Sequence, residues 1–268
     1  QYFETMYYGK NYQMGSLATG HGYNLGGFKI LTYNKELGAD FIIPSSNGGA
    51  PKYSRDPVKN RSGKDQIGQY KHLAVWLNQG GKGMSFLHPR HAEIDQRDFA
   101  TIIKTEQSYV ALVPINLAFG DFADKIGRQR KHPVSRLLQA DKVGDETMGV
   151  VMVTGEGDYD TFVQMVADGT ISEQNGTFTY QCGSGTTLAV AMTNSSLPQV
   201  WRDGTLHDWQ QHYALFQPAS RLAGQEDAQI PCYLGWKERK MHVEAGGHTF
   251  SAELKDDGTY IYSSTLAE

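Results

Sequence analysis

Phe99-Ala-Thr-Ile-Ile-Lys104, Thr105-Glu-Gln107 and Ser108-Tyr-Val-Ala-Leu-Val113 decide the fold class of this chain. Two apolar, β-branched runs flank three polar residues. Such runs are too short for helices and read as the arms of a β-hairpin. The same grammar extends upstream. His72-Leu-Ala-Val-Trp-Leu77 reads as a strand, Gly80-Gly81 as a turn and Gly83-Met-Ser-Phe-Leu87 as another strand. Phe28-Lys-Ile-Leu-Thr-Tyr33 and Ala39-Asp-Phe-Ile-Ile43 are also strands, with Pro44 ending the second. Residues 44–67 read as a long polar loop and residues 88–98 as a polar connection.

Downstream, Met148-Gly-Val-Val-Met-Val153 is a buried strand. Residues 119–147 are mixed and basic, with a short helix expected near Pro133-Val-Ser-Arg-Leu-Leu138. The better helix signal is Thr161-Phe-Val-Gln-Met-Val-Ala-Asp168. Asp160 is its expected cap, Phe162, Met165 and Val166 its apolar face, and Gly169 its end. Further strands follow, with turns expected at Asn175-Gly176, Gly183-Ser-Gly185, Asp203-Gly204, Gly246-Gly247 and Asp257-Gly258. The expectation is an all-β, mainly antiparallel fold: a large β-sandwich or supersandwich with one or two short helices. No repeat, heptad or low-complexity linker divides the chain, so residues 1–268 read as a single β-sandwich unit.

Composition narrows the partners. Of 268 residues, 39% are hydrophobic and 20% charged, which suits a packed core rather than disorder. A net charge of −4 argues against a broad nucleic-acid surface. No apolar run is long enough for a membrane-spanning helix, and no signal peptide is visible. The chain starts at Gln1 rather than Met, so it reads as a processed product or the C-terminal part of a longer protein. Cys182 and Cys232 suit either a disulfide in an oxidising compartment or two buried thiols. Asn60, Asn175 and Asn194 head glycosylation triplets, a pattern common by chance.

The residues richest in chemistry are Thr5–Asn24, TMYYGKNYQMGSLATGHGYN. A lyase acting on a uronate must neutralise the carboxylate and move the proton at C5. Tyrosine can serve as base or acid there, with His, Asn, Lys or Arg holding the carboxylate. Tyr12, His21, Tyr23 and Asn24 are the catalytic candidates, with Tyr8 and Lys10 as substrate-binding candidates. The plainer reading is a Tyr-rich strand followed by a glycine loop. Tyrosine faces also stack on sugar rings without any catalysis. Lys125-Ile-Gly-Arg-Gln-Arg-Lys-His132 is the densest basic run. It reads as a solvated loop or, through Arg128, Arg130 and Lys131, as a contact for an anionic polysaccharide.

The segment Tyr7-Tyr-Gly-Lys-Asn-Tyr-Gln-Met-Gly-Ser16, the pair 72–77 and 108–113, and Gly157–Val166 with Thr177–Gln181 occur in a suggestive order. The order resembles the β-supersandwich portion of polysaccharide lyases and heparinase II/III-like proteins. In that family an α/α-toroid precedes the sheets and contributes much of the catalytic cleft. This chain carries no such toroid. The resemblance implies an extracellular or cell-surface, carbohydrate-associated sandwich. It would bind an acidic polysaccharide, or complete a β-elimination site together with an upstream helical domain or chain.

The other motifs are weaker. His88-Pro-Arg-His91 with Glu93 and Asp95 holds metal-ligating types, but Pro89 argues against a zinc helix; His88, His91 and Glu93 are the candidates. Gly155–Asp160 lacks the calcium-loop pattern, and Gly183-Ser-Gly-Thr-Thr187 reads as a hairpin turn. The four tryptophans are scattered and read as core or rim packing. No cofactor is expected. The competing expectation is a secreted or cell-surface structural protein that forms homo-oligomers through sheet edges and loops.

Overall fold

The computed structural model describes residues 2–19, 27–36, 38–46, 64–120, 135–193, 197–209, 213–214, 232–235, 239–245 and 248–265. The chain groups into two compact units, Gln1–His207 and Asp208–Glu268. Among the described residues strands dominate both, they pair antiparallel, and one helix of nine residues is present.

Among the described residues the first unit holds three sheets. One has seven strands, in the order β1 (Tyr2–Tyr8), β2 (Tyr12–Thr19), β3 (Gly27–Asn34), β4 (Gly38–Ser45), β7 (Gly83–Pro89), β12 (Ser135–Lys142) and β11 (Leu117–Phe119). The second has six: β5 (Lys64–Tyr70), β6 (Leu73–Gln79), β13 (Met148–Gly155), β10 (Tyr109–Ile115), β9 (Thr101–Lys104) and β8 (Glu93–Gln96). The third has five: β14 (Thr170–Gln174), β15 (Thr177–Gln181), β16 (Thr187–Ala191), β17 (Val200–Arg202) and β18 (Thr205–Leu206).

Alternation explains the stacking. Met14, Ile30, Ile42, Phe86 and Leu138 of the seven-stranded sheet meet Trp76, Ile103, Leu112, Val150 and Met152 of the six-stranded sheet in one core. The opposite face of the six-stranded sheet is buried too, by Leu73, Val75, Leu77, Val151 and Val153. The third sheet packs there, through β16 and β17 against β5 and β6. β6 therefore lies between two layers and β13 is likewise buried on both faces, which is why their sequences are continuous apolar runs rather than alternating ones. A Cβ at Gly68 of β5 would sit 2.4 Å from Val190 Cγ2 and 2.9 Å from Val200 Cγ2, so glycine sets how closely these layers approach.

Within this packing Asp65 is fully buried. Its Oδ1 accepts hydrogen bonds from Ser46 Oγ (2.7 Å), Trp76 Nε1 (2.7 Å) and Asn78 Nδ2 (2.8 Å). Three donors on one oxygen compensate the loss of water and tie β5 and β6 to Ser46, the residue that follows β4.

The expected hairpin over 99–113 is present, with Val110 opposite Ile103. The turn at Asn175-Gly176 has φ of 52° and 76°, and that at Asp203-Gly204 has 46° and 79°. Positive φ at both central residues is the geometry that two-residue hairpins favour. Several expectations need correction. Of the segment expected as a helix, residues 135–138 belong to β12, because Leu137 and Leu138 pair with β7 and the latter fills the core. Residues 64–67 belong to β5 rather than to a loop, and 93–96 form β8. Pro44 lies inside β4, opposite Phe86 of β7. β6 and β10 do not pair with each other; β13 separates them. The helix α1 (Tyr159–Ala167) is capped by Asp158, not Asp160: the Thr161 N–H donates to Asp158 Oδ1 at 2.8 Å. Phe162 and Val166 form its buried side.

The second unit holds one five-stranded sheet, β19 (Tyr213–Ala214), β20 (Cys232–Gly235), β21 (Lys240–Ala245), β22 (His248–Leu254) and β23 (Tyr260–Ser264). Its register places Met241, Val243, Phe250, Ala252, Leu254, Tyr260 and Tyr262 on one face and Lys240, His242, Ser251 and Glu253 on the other.

Candidate functional site

The described part of the opening stretch is a hairpin, β1–β2, whose tip is Gly9-Lys10-Asn11. The tip is tied down. Glu156 accepts the Lys10 N–H on Oε1 and the Asn11 N–H on Oε2, both at 2.9 Å. Two successive N–H groups make a natural cradle for one carboxylate. Tyr12 is only 8% exposed and lies against Gly9, where a Cβ would meet its ring. Its ring centroid is 6.0 Å from that of Tyr7. Burial pushes the phenol pKa of both tyrosines up, with the neighbouring Glu156 charge adding to it. A phenol held protonated is a poor base, and burial disfavours that role for Tyr12. Tyr8 is half-buried and Lys10 is exposed. His21, Tyr23, Asn24, Arg128, Arg130 and Lys131 lie outside the described residues.

The hairpin leans on a second turn that sequence reasoning did not single out. β5 and β6 pair with Tyr70 opposite Leu73, leaving Lys71-His72 as a two-residue connection. Lys71 has φ of 50°, a left-handed conformation that favours glycine. Its Nζ lies 4.9 Å from the Tyr70 ring centroid and 3.8 Å from Asp203 Oδ2. Asp203 belongs to the β17–β18 turn. The guanidinium of Arg202 beside it donates to Gln69 O from Nε (3.1 Å) and to Thr5 Oγ1 from NH2 (3.1 Å). β1, β5 and β17 thus converge on one rim.

His72 points the other way, inward. Its ring lies 6.4 Å from that of Tyr7, and its Nε2 is 3.7 Å from Cys182 Sγ and 3.4 Å from Ser184 Oγ. Its carbonyl accepts the Thr154 N–H at 2.9 Å. Burial, helped by the Lys71 charge, pulls the imidazole pKa down to about 4, so His72 is neutral at physiological pH. Cys182 is a buried free thiol. The side chain of Cys232 lies outside the described residues.

The rim therefore combines an aromatic ring (Tyr70), a cation (Lys71) and a protonated phenol (Tyr7), with the neutral imidazole of His72 beneath it. Rings offer stacking surfaces and the ammonium offers a carboxylate partner. No single motif announces it, because its members are spread from Thr5 to Asp203. The one local signal is Tyr70-Lys71-His72 placed where a hairpin connection would ordinarily use Asn or Gly.

The metal candidates are not brought together. His88 Nδ1 lies 3.0 Å from Pro89 O, His91 Nε2 lies 3.1 Å from Asp40 Oδ2, and Glu93 Oε2 lies 3.1 Å from Lys104 Nζ. Burial lowers the His88 pKa to about 4. Among the described residues no group of three or more His, Cys, Asp and Glu side chains is placed to hold a metal ion. No described helix is long and apolar enough to cross a membrane. Comparison of the chain with protein-family models, curated proteins and solved structures returns no match.

Proposed function

We propose that this chain is an extracellular, carbohydrate-associated β-sandwich that binds an acidic polysaccharide at the rim formed by Tyr70, Lys71 and Tyr7. The observation that carries the reading is the backbone of Lys71. A lysine held at φ of 50° in a two-residue turn pays a conformational cost that glycine would avoid. The position keeps a cation beside an aromatic ring, with Asp203 as its partner in the absence of ligand. A uronate unit offers both complementary features: an apolar sugar face for Tyr70 and a carboxylate to take the place of Asp203 at Lys71.

The finer reading is a lyase. An upstream helical domain or chain would complete the cleft, and β-elimination would follow. With Tyr12 buried, that reading rests on Tyr23 as base or acid, with His21 and Asn24 at the carboxylate.

Calorimetric titration with polygalacturonate, alginate and a neutral β-glucan tests the binding claim. The expected result is binding to a uronate polymer that weakens with added salt and is lost in Lys71→Ala. Absence of binding to any acidic polymer would refute it. The lyase claim is tested by ultraviolet absorbance of the unsaturated product, with and without the upstream region. No rise in either case removes it.

A further inference from the structure

Asn175-Gly176 is the two-residue connection of the β14–β15 hairpin, with Gln174 opposite Thr177. Asn175 is exposed. An asparagine followed by glycine holds both partners of a reaction. The side-chain amide carbon is an electrophile. The next main-chain nitrogen is placed to close a five-membered ring on it, and glycine has no Cβ to hinder the attack. Whether the two atoms meet is decided by the main chain between them.

The folded turn keeps them apart in two ways. Ring closure needs the Gly176 nitrogen eclipsed with Cβ about the Asn175 Cα–C bond. Positive φ at both residues, 52° and 76°, marks a turn whose first residue has ψ of about 30°. The nitrogen then sits nearly opposite Cβ. The Gly176 N–H is also engaged, donating to Glu173 Oε1 at 2.6 Å. Attack requires that nitrogen to lose its proton, and a carboxylate holding the N–H opposes a second negative charge beside it. The Met192 N–H donates to Gly176 O at 2.8 Å and fixes the turn from the other side.

The strand leading into this turn is lightly held. β14 ends its sheet among the described residues and is exposed at all five positions. A segment with little buried surface opens at low free energy while the rest of the fold stays closed.

We propose that Asn175 is a latent modification site, which deamidates through Gly176 when the β14–β15 hairpin opens and is protected while it is closed. In the open chain the Gly176 nitrogen gives its proton to water and bonds to Asn175 Cγ. The Cγ–Nδ2 bond breaks, and Nδ2 leaves as ammonia with a proton returned by water. Water then opens the cyclic imide. Addition at Cγ yields aspartate; addition at the main-chain carbonyl yields isoaspartate, with Gly176 joined through Cγ. Nothing is oxidised or reduced. Isoaspartate adds one methylene to the main chain of a two-residue turn, so Gln174 and Thr177 no longer meet and the hairpin does not reclose in register. This inference is independent of the polysaccharide reading.

Peptide mass spectrometry reads aspartate and isoaspartate at position 175 in the 268-residue chain, incubated near neutral pH with and without denaturing guanidinium chloride. The expected result is steady conversion in the unfolded chain and conversion slower by about tenfold or more in the native one. Glu173→Ala should raise the native rate several-fold and leave the unfolded rate unchanged, because the carboxylate acts only through the folded turn; circular dichroism checks that this variant is folded. After long incubation, limited proteolysis should cut wild type around β14. Asn175→Gly keeps the turn without the amide and should stay intact. Equal rates in native and unfolded chains, no conversion in the unfolded chain, a folded Glu173→Ala that converts no faster than wild type, or equal proteolysis of wild type and Asn175→Gly would each overturn the proposal.

Discussion

Acidification should weaken this protein through His72, and replacing that residue should remove a defined part of the weakness. The imidazole pKa is about 4 in the fold because the half-buried ring is largely withdrawn from water between Tyr7, Cys182 and Ser184, beside Lys71. In the unfolded chain it returns to roughly 6.5. A histidine with a lowered folded pKa stays neutral in the fold while the unfolded chain takes up a proton. Its contribution is therefore intact above about pH 6.5 and is lost as pH falls towards 4. At about 1.36 kcal/mol per pH unit, the full loss is on the order of 3 kcal/mol, of which about 2 kcal/mol has gone by pH 5. His88 has the same lowered value, about 4, and contributes a similar loss. Urea unfolding at about pH 7.5 and pH 5 measures the difference. The wild-type chain should lose on the order of 4 kcal/mol through these two groups, and His72→Gln about half of that. Carboxylates titrate alike in both proteins and cancel in the comparison. An equal drop in wild type and His72→Gln would refute the claim that His72 stays neutral in the fold.

Three further outcomes are expected. Lys71→Gly should be more stable than Lys71→Ala by about 1 kcal/mol, since glycine relieves the positive φ that alanine keeps; both variants should lose uronate binding, which separates strain from charge by thermal melts and calorimetry. Gly68→Ala should destabilise by about 1–3 kcal/mol, because the new methyl meets Val190 and Val200, and Val190→Ala should recover part of that in a denaturant series. Asp65→Ala should cost about 3–5 kcal/mol by leaving the donors of Ser46, Trp76 and Asn78 buried without their shared acceptor, with a shift in Trp76 fluorescence as a second readout.

Local chemistry alone was enough for much of the architecture. The β-branched arms at 101–104 and 109–115, the Asn175-Gly176 turn and the apolar side of α1 are encoded within a few residues of each other. Backbone preference and side-chain periodicity act over that range, so the all-β class and the hairpins were legible. Residues 135–142 were not. Their sequence suits a helix as well as a strand, and only pairing with β7 and burial of Leu138 choose the strand. The stacking of three sheets in the first unit was equally hidden, because a continuous apolar run like Leu73–Leu77 says that both faces are covered but not by what.

The opening stretch shows the same division most clearly. Its residues announce sugar and proton chemistry by type alone, and type is what a sequence states. Whether a tyrosine is a base depends on its surroundings: Tyr12 is buried on Gly9 and kept protonated, and the Lys10–Asn11 tip is held by a carboxylate 145 or more residues away. The rim of Tyr70, Lys71 and Tyr7, and the neutral His72 beneath it, exist only because β1, β5 and β17 meet there. Contacts between residues far apart in the chain set the burial, the pKa values and the turn geometry that make a site, and only the folded chain brings those residues together.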